Sequence, residues 1–187
     1  MFDKTLEIKL VDLIEQSKAV EVGIFKLRSG GESNWIFNAE KCFANPDFVK
    51  LIGPQMAEFI ENLERDASQK FAIATVDSGG TKFYKSVYPF VRRPYVVVWK
   101  KGGVSRPIEK RRYLVCEDVV SESSSVRKVV DVIRAYGGLV NEAVTLLDRL
   151  LGGRENLQRA DVKLYSILTK NEIRKLLPTD EFYKKVL

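Results

Sequence analysis

The chain has 187 residues, 45% of them hydrophobic and 30% charged, a composition typical of one soluble globular domain spanning residues 1–187. Its net charge of +6 favours anionic partners such as nucleotides, pyrophosphate or nucleic acid, although a solvated basic surface explains it equally well. Because the sequence contains no histidine, histidine metal sites and catalytic triads with a histidine base are excluded.

The first forty residues predict a small unit beside the main fold. Residues 4–18 predict an amphipathic helix, since apolar side chains recur on one face. Strands are predicted at 20–27 and 35–38, and the Gly- and Ser-rich segment 28–34 between them is typical of a hairpin loop. This hairpin precedes the regular alternation of strands and helices. We therefore expect the N-terminal elements, with the C-terminal segment, to form a small hood.

The next elements alternate helices with buried strands. Asn45 before a proline predicts the start of a helix that extends to residue 63. Residues 71–76 and 95–99 are continuous apolar runs, as strands covered on both faces of a parallel sheet require. The segment 77–82, Asp-Ser-Gly-Gly-Thr-Lys, follows the first of these strands and offers backbone N–H groups to an anion. A strand–turn–helix without a ligand is the alternative.

An apolar run that ends in two acids is central to the sequence. Residues 113–116 predict a buried strand, and Glu117 and Asp118 follow it directly. The serine-rich segment 121–125 leads into a predicted helix, whose first N–H groups lack intrahelical partners and attract phosphate. Carboxylates accept hydrogen bonds from sugar hydroxyls. These residues alone predict a phosphosugar or nucleotide site.

The last part of the chain predicts one more candidate site residue. Residues 139–147 predict a strand, and Arg149 follows at its carboxyl end. There an arginine is placed to bind a carboxylate with two parallel hydrogen bonds; a surface arginine without a ligand is the alternative. The remaining predicted elements are a strand at 160–168 and helices at 171–177 and 179–185.

The alternation predicts an α/β fold with a mainly parallel sheet flanked by helices and with ligands at the strands' carboxyl ends. No apolar run is long enough to span a membrane and the N-terminus does not resemble a signal peptide, so we expect a cytoplasmic protein without a membrane partner. Cys42 and Cys116 are predicted to be buried thiols. Nucleic-acid binding is the weakest alternative, because only the overall charge favours it.

The segment 113–126 resembles the phosphoribosyl-pyrophosphate (PRPP) motif of type I phosphoribosyltransferases. In that motif a hydrophobic strand leads to two acids and then to a Thr/Gly/Ser loop that binds the 5-phosphate. The resemblance implies that Glu117 and Asp118 bind the ribose hydroxyls. It also assigns the 5-phosphate to Ser121, Ser123, Ser124 and Ser125, and the pyrophosphate loop to Asp77, Gly79 and Gly80.

The loop 121–125 departs from that motif, in which Thr-Thr-Gly-Gly-Ser or a close variant is usual. Serines replace both glycines, and Glu122 lies inside the phosphate loop. A carboxylate about 5 Å from a phosphate is repelled by roughly 3 kcal/mol per unit charge at an effective dielectric of about 20. At a helix start without a ligand it is favourable by up to about 1 kcal/mol. The sequence therefore suits an empty site or a Glu122 that faces solvent.

The hairpin narrows the resemblance to orotate phosphoribosyltransferases. Residues 23–34, Gly-Ile-Phe-Lys-Leu-Arg-Ser-Gly-Gly-Glu-Ser-Asn, are similar to the N-terminal segment of that family. Arg28 stands at the family's ligand-contacting lysine, and Phe37 falls in the aromatic region beside the base. The Asp148–Arg149 pair matches the position from which these enzymes contact orotate. An ordinary Gly/Ser hairpin is the alternative for the first of these matches.

Residues 100–112 are the largest departure from that family. Orotate enzymes normally have a long, mobile loop here, with Arg-Lys-x-x-Lys-x-His-Gly. Lys100 and Lys101 stand in place of its first two cations, and the resemblance assigns them to the pyrophosphate. The later lysine, the histidine and much of the loop's length are absent. A shorter loop contributes less positive charge and excludes less water.

The resemblance implies an orotate phosphoribosyltransferase that makes orotidine 5-phosphate from orotate and PRPP in pyrimidine nucleotide synthesis. Mg²⁺ is the implied cofactor, with ligands that the sequence does not assign, and a homodimer is the implied assembly. Lys100, Lys101 and Asp118 are the predicted catalytic residues. The departures leave two alternatives: a nucleotide-binding or regulatory relative that has lost catalysis, and a PRPP transferase for another base.

Overall fold

Helices and strands alternate along most of the chain. The structure, a computed structural model, describes residues 3–26, 31–65 and 69–177. Its elements are α1 (Lys4–Gln16), β1 (Val20–Lys26), β2 (Glu32–Phe37), α2 (Ala39–Phe43), α3 (Pro46–Glu64), β3 (Ala72–Val76), α4 (Gly79–Val87), β4 (Tyr95–Val98), β5 (Arg112–Val120), α5 (Ser124–Ala135), β6 (Leu139–Asp148), α6 (Gly153–Gln158), β7 (Lys163–Thr169) and a 3-10 turn at Arg174–Leu176.

A parallel sheet forms the centre of the molecule. Within the described ranges it has five strands in the order β4-β3-β5-β6-β7, and every neighbouring pair is parallel. Alternate residues of β3 point to two separate cores: Ile73 packs with α1, α3 and α4, whereas Ala72 and Ala74 pack with α5 and α6. Burial on both faces explains why the strand is apolar throughout. The predicted α/β fold is confirmed.

The hood hairpin stands outside this sheet, as predicted. Strands β1 and β2 pair with each other in antiparallel fashion, from Val20 opposite Phe37 to Lys26 opposite Glu32. Helix α2 follows at once and leads into α3, whose N-cap Asn45 accepts a hydrogen bond from the amide of Asp47 at 3.0 Å. The hairpin tip at 27–30, including Arg28, lies outside the described residues.

Several predicted elements differ from the structure. Strand β2 begins at Glu32, within the predicted loop 28–34, and β7 begins at Lys163 rather than at residue 160. Strand β5 continues past residue 116 through both acids to Val120, because its backbone stays paired with β6 as far as Asp148. The helix predicted at 171–177 is wrong: this segment is a turn with three residues of 3-10 helix. Its side chains still contribute to the core, where Ile173 is fully buried. The helix predicted from residue 179 lies outside the described residues.

Two predictions about the chain as a whole have clear outcomes. Cys42 and Cys116 are free and buried, as predicted. No helix in the described part of the chain combines the length and hydrophobicity that a membrane crossing needs.

Candidate active site

A cleft of about 520 Å³ lies between the hood and the carboxyl ends of β3 and β5. Parallel strands end at the same edge of a sheet, so loops that are distant in sequence meet there. Seven of the predicted site residues line this cleft: Phe37, Gly79, Lys100, Glu117, Asp118, Ser121 and Ser125.

The other predicted residues lie around the cleft without lining it. They are Asp77, Gly80, Lys101, Ser123, Ser124 and Arg149. The side chain of Asp77 acts on the cleft indirectly, because its Oδ1 accepts a hydrogen bond from the amide of Lys100 at 2.8 Å. The carbonyl of Lys100 in turn accepts from Nζ of Lys128 at 2.5 Å. The backbone of Lys100 is therefore fixed from both sides, whereas Lys101 is exposed.

The two acids of β5 have different surroundings. Glu117 is 4% exposed, whereas Asp118 is only partly buried. Burial raises the pKa of the Glu117 carboxyl well above its usual value, and the neighbouring charge of Asp118 raises it further. The charge of Lys100 opposes this rise. Oε1 of Glu117 accepts from the amide of Asp118 at 3.2 Å, so the carboxyl is held against its own strand.

Replacing Glu117 by glutamine should change how stability depends on pH. A raised pKa in the folded state means that the neutral carboxyl favours folding. That stability is fully present below the unfolded-state pKa and is lost as the pH rises through the folded-state pKa. The free energy of unfolding of the wild type should therefore fall relative to Glu117→Gln by up to about 1.4 kcal/mol per pH unit. Urea denaturation at several pH values measures this, and a difference independent of pH would contradict it.

A glycine allows α4 to start against the second acid. A Cβ atom built on Gly79 would lie 2.2 Å from Oδ2 of Asp118, so any larger residue would force that carboxylate to move. Glycine at the first residue of α4 thus lets the helix start pack directly on the carboxylate. The pair Gly79-Gly80 is therefore needed for packing as well as for any backbone contact with an anion.

The serine-rich loop ends at the first turn of α5. Ser123 adopts φ +71°, in the left-handed region, and its side chain does not cap the helix. This is a position where the PRPP motif has glycine, which adopts such a φ without steric cost. Within the described chain, no backbone acceptor is hydrogen-bonded by the amides of Ser123, Ser124 or Ser125. Glu122 is exposed to solvent, one of the two arrangements the sequence suits.

Replacing Ser123 by glycine should stabilise the protein slightly. The left-handed conformation costs an L-residue about 1–2 kcal/mol, and glycine's greater freedom when unfolded offsets about 0.5–1 kcal/mol of the gain. We expect a net rise of about 0.5 kcal/mol in the free energy of unfolding. Ser124→Gly is the matched control, because Ser124 is helical and should lose about 0.5–1 kcal/mol. Equal effects in urea denaturation would contradict the expectation.

Helix α6 supports the loop from behind. Nδ2 of Asn156 donates to the carbonyl of Glu122 at 3.0 Å. A Cβ atom on Gly153 would lie 2.4 Å from the carbonyl oxygen of Ser121. This close packing holds the loop in place.

Arg149 lies beside the cleft and under the hood. Its Cζ is 4.3 Å from the centre of the Trp35 ring, and its Nη2 donates to Oγ of Ser33 at 3.0 Å. It is 9% exposed, its Nε is buried without a hydrogen-bond partner, and none of the ion pairs between described residues includes it. Burial lowers the pKa of this guanidinium. A buried cation without a counter-ion is costly, which points to an anionic ligand.

Comparison with known proteins identifies the family. No model of a known protein family matches the chain. An orotate phosphoribosyltransferase of Methanocaldococcus jannaschii is 31% identical over 174 residues, covering 89% of this chain and 96% of that protein. One of Aquifex aeolicus is 32% identical over 181 residues, covering 88% and 96%. The chain belongs to the orotate phosphoribosyltransferase family.

Solved structures agree with this membership. The orotate phosphoribosyltransferase of Aeropyrum pernix superposes with a TM-score of 0.75 at 25% identity, covering 89% of this chain and 98% of that one. A Mycobacterium tuberculosis orotate phosphoribosyltransferase in complex with PRPP has the same fold, with a TM-score of 0.69 at 22% identity and coverage of 90% and 99%. The predicted resemblance to orotate phosphoribosyltransferases is confirmed.

Sequence reasoning did not identify three charged residues that lie at or near the cleft of this family member. Lys82 and Glu40 line the cleft, and Lys128 holds the carbonyl of Lys100. Lys82 follows Gly79, Gly80 and Thr81 directly, so a lysine at the end of the predicted anion-binding loop was the signal that could have identified it. Glu40 lies in the five-residue helix α2, too short to leave a periodic pattern.

Proposed function

We propose that the protein transfers the phosphoribosyl group from PRPP to orotate, forming orotidine 5-phosphate and pyrophosphate. One arrangement supports this above all: the acids of β5, the free amides at the start of α5 and Lys100 surround a single cleft. A ribose with a phosphate at one end and a pyrophosphate at the other needs these three kinds of group. Relatives that match nearly the whole chain carry the name of this activity.

In this proposal each end of PRPP meets different groups. Glu117 and Asp118 accept hydrogen bonds from the ribose hydroxyls, and the amides and hydroxyls of residues 121 and 123–125 bind the 5-phosphate. Lys100 binds the pyrophosphate, together with the N–H groups near Gly79 and Gly80. Lys101 is assigned to the same group, because it is exposed next to Lys100 and has a long, flexible side chain. Asp77 keeps Lys100 in position through its amide.

Orotate is assigned to the hood side of the cleft. Its carboxylate would pair with Arg149, the buried guanidinium that lacks a counter-ion. Its ring would lie near Phe37, which lines the cleft on that side. Arg28, which follows β1 in the sequence and lies outside the described residues, is proposed as a second cation for this substrate.

The residues present suit Mg²⁺ bound mainly through substrate. The described ranges contain no group of three His, Cys, Asp or Glu side chains that could hold a metal ion. Mg²⁺ commonly takes one or two carboxylates and completes its shell with phosphate oxygens and water. Glu117 and Asp118 are the two adjacent carboxyl groups that β5 brings to the cleft, whereas the third, Glu40, is paired with Lys82. When bound, the ion would supply positive charge to the leaving pyrophosphate.

The protein's part in the transfer is positioning and neutralisation. As pyrophosphate leaves C1 of the ribose and a nitrogen of orotate arrives, positive charge develops on the ring. Asp118 faces the cleft and stabilises that charge, while Lys100 neutralises the leaving group. The hood and the sheet hold the two substrates at the distance the reaction needs.

A nucleotide-binding protein without turnover is the second candidate. Glu122 favours it, because a carboxylate in the phosphate loop weakens the binding of any phosphate that it faces. In the structure this side chain is exposed to solvent, which reduces that repulsion. The main proposal therefore stands ahead of this candidate.

The test is a direct assay with PRPP, Mg²⁺ and a base. We expect pyrophosphate release and orotidine 5-phosphate formation with orotate, and none with adenine or uracil. Release with another base alone would favour a different transferase. No release with any base, together with measurable PRPP binding by calorimetry, would favour the nucleotide-binding candidate.

We further propose a homodimer located in the cytoplasm. The family resemblance supports the dimer. Analytical ultracentrifugation tests the assembly, and a single species of 21.3 kDa, the mass of one chain, would contradict it.

A further inference from the structure

An ion pair at the cleft joins α2, which follows the hood hairpin, to α4, which packs on the central sheet. Nζ of Lys82, on α4, lies 2.6 Å from Oε2 of Glu40, on α2. Both residues line the cleft that contains Gly79, Lys100 and Asp118. The lysine side chain is 41% exposed and the glutamate side chain 67% exposed, so water screens the pair and the attraction is weak enough to be exchanged.

The charges of the cleft do not suit a pyrophosphate while this pair is closed. Among the described lining residues, the cations are Lys82 and Lys100 and the anions are Glu40, Glu117 and Asp118. With Lys82 neutralised by Glu40, Lys100 alone faces a ligand of several negative charges. A pyrophosphate would gain most by attracting Lys82 away from Glu40.

Lys82 is well placed for such an exchange. It lies one turn into α4, and its amide donates to the carbonyl of Ser78 at 3.1 Å, so its backbone is fixed next to the glycine pair. The first turn of a helix already favours negative charge. The long lysine side chain can swing between two acceptors without any change in the backbone.

We propose that Lys82 is a further pyrophosphate-binding residue, and that Glu40 holds it until the pyrophosphate end of the ligand enters the cleft. This inference rests on the proposed function, since it deepens the assignment of the same cleft. It makes Glu40 a competitor of the ligand, so that the two members of one ion pair have opposite effects on binding.

Calorimetric titration with inorganic pyrophosphate and Mg²⁺ at low salt tests this directly. Lys82→Gln should weaken pyrophosphate binding about tenfold, the loss of one charge-assisted hydrogen bond, and Lys82→Arg should restore most of it. Glu40→Gln should strengthen binding about two- to fivefold, the worth of an exposed ion pair. Lys85→Gln, which removes the same charge from the exposed side of α4, should change nothing.

If the ion pair only stabilises the packing of α2 on α4, a different pattern of pyrophosphate binding is expected from the two variants. Both Lys82→Gln and Glu40→Gln would then weaken binding, or neither would matter, and either result overturns the inference. The double variant separates exchange from simple repulsion by Glu40. Exchange predicts that Glu40→Gln no longer strengthens binding when Lys82 is already glutamine; an undiminished gain in that background would overturn it.

Product formation from orotate tests the proposed function independently of the role of Lys82. Opposite effects of the two variants on pyrophosphate binding, without product from orotate, would keep the inference and reject the transferase. Product formation by the wild type, together with an unchanged pyrophosphate affinity in Lys82→Gln, would keep the transferase and reject the role of Lys82. A wild-type protein that binds neither pyrophosphate nor PRPP would overturn both.

Discussion

Arg149→Ala should raise the KM for orotate about a hundredfold or more. Removing one partner of a buried, hydrogen-bonded charge pair costs about 2–5 kcal/mol, and the orotate carboxylate would lose its only assigned buried partner. The guanidinium is held for this role by Trp35 at 4.3 Å and Ser33 at 3.0 Å. PRPP binding should change little, because Arg149 is not among the residues assigned to the ribose or its phosphates.

Two further variants control this experiment. Arg149→Lys keeps the charge but loses the planar fork, so it should recover only part of the affinity. Arg92→Ala removes an exposed arginine that lies just before β4, at the edge of the sheet opposite the cleft, and it should leave the kinetics unchanged. Steady-state kinetics with each substrate varied in turn gives the answer. A KM for orotate within about threefold of wild type would place the carboxylate elsewhere.

Gly80→Ala should destabilise the protein by about 3 kcal/mol. Its Cβ would lie 2.4 Å from the carbonyl oxygen of Cys116, a backbone atom of the central strand β5. A backbone atom in a paired strand cannot rotate away, so α4 must move off the sheet. Alanine otherwise favours a helix by about 1 kcal/mol over glycine, so a loss of stability is informative.

The neighbouring glycine provides the comparison. Gly79→Ala meets only the side chain of Asp118, which can rotate. It should therefore cost less stability than Gly80→Ala while reducing kcat, because it moves a proposed catalytic carboxylate. Gly31→Ala has no heavy atom within 4 Å of its new methyl group and should be neutral. Urea denaturation of the three variants measures these differences, and equal midpoints for Gly80→Ala and wild type would contradict the argument.

Much of the site was predictable because parallel strands end at one edge. Apolar runs located the strands, and both acids, Lys100 and two of the four predicted serines, Ser121 and Ser125, line the same cleft as that rule requires. The family resemblance added roles that spacing does not give, above all for Arg149. The structure adds the consequence of one departure from the motif: Ser123 has the left-handed backbone that glycine would adopt freely.

What sequence reasoning missed depends on tertiary contacts. Strand β5 carries Glu117 and Asp118, residues that seldom favour strands, because pairing with β6 outweighs local preference. Residues 171–177 have apolar side chains at helical spacing, yet the segment is too short to form a helix on its own. It packs its apolar residues on the core, and Lys175 reaches Asp12 of α1 at 2.8 Å. The Glu40–Lys82 pair joins elements that the sequence separates by some forty residues.

The acids lie on the most strongly supported strand of the sheet, whereas the hood belongs to a smaller element. This strand has a hydrogen-bonded neighbour on each side and a packed core on each face, so distorting it approaches the cost of global unfolding. The hood hairpin has only two strands within the described residues, and it is held by side-chain contacts such as those of Trp35 with the core and with Arg149. In the proposed reaction, substrate entry and product release would therefore require movement of the hood rather than of the strand that carries Glu117 and Asp118.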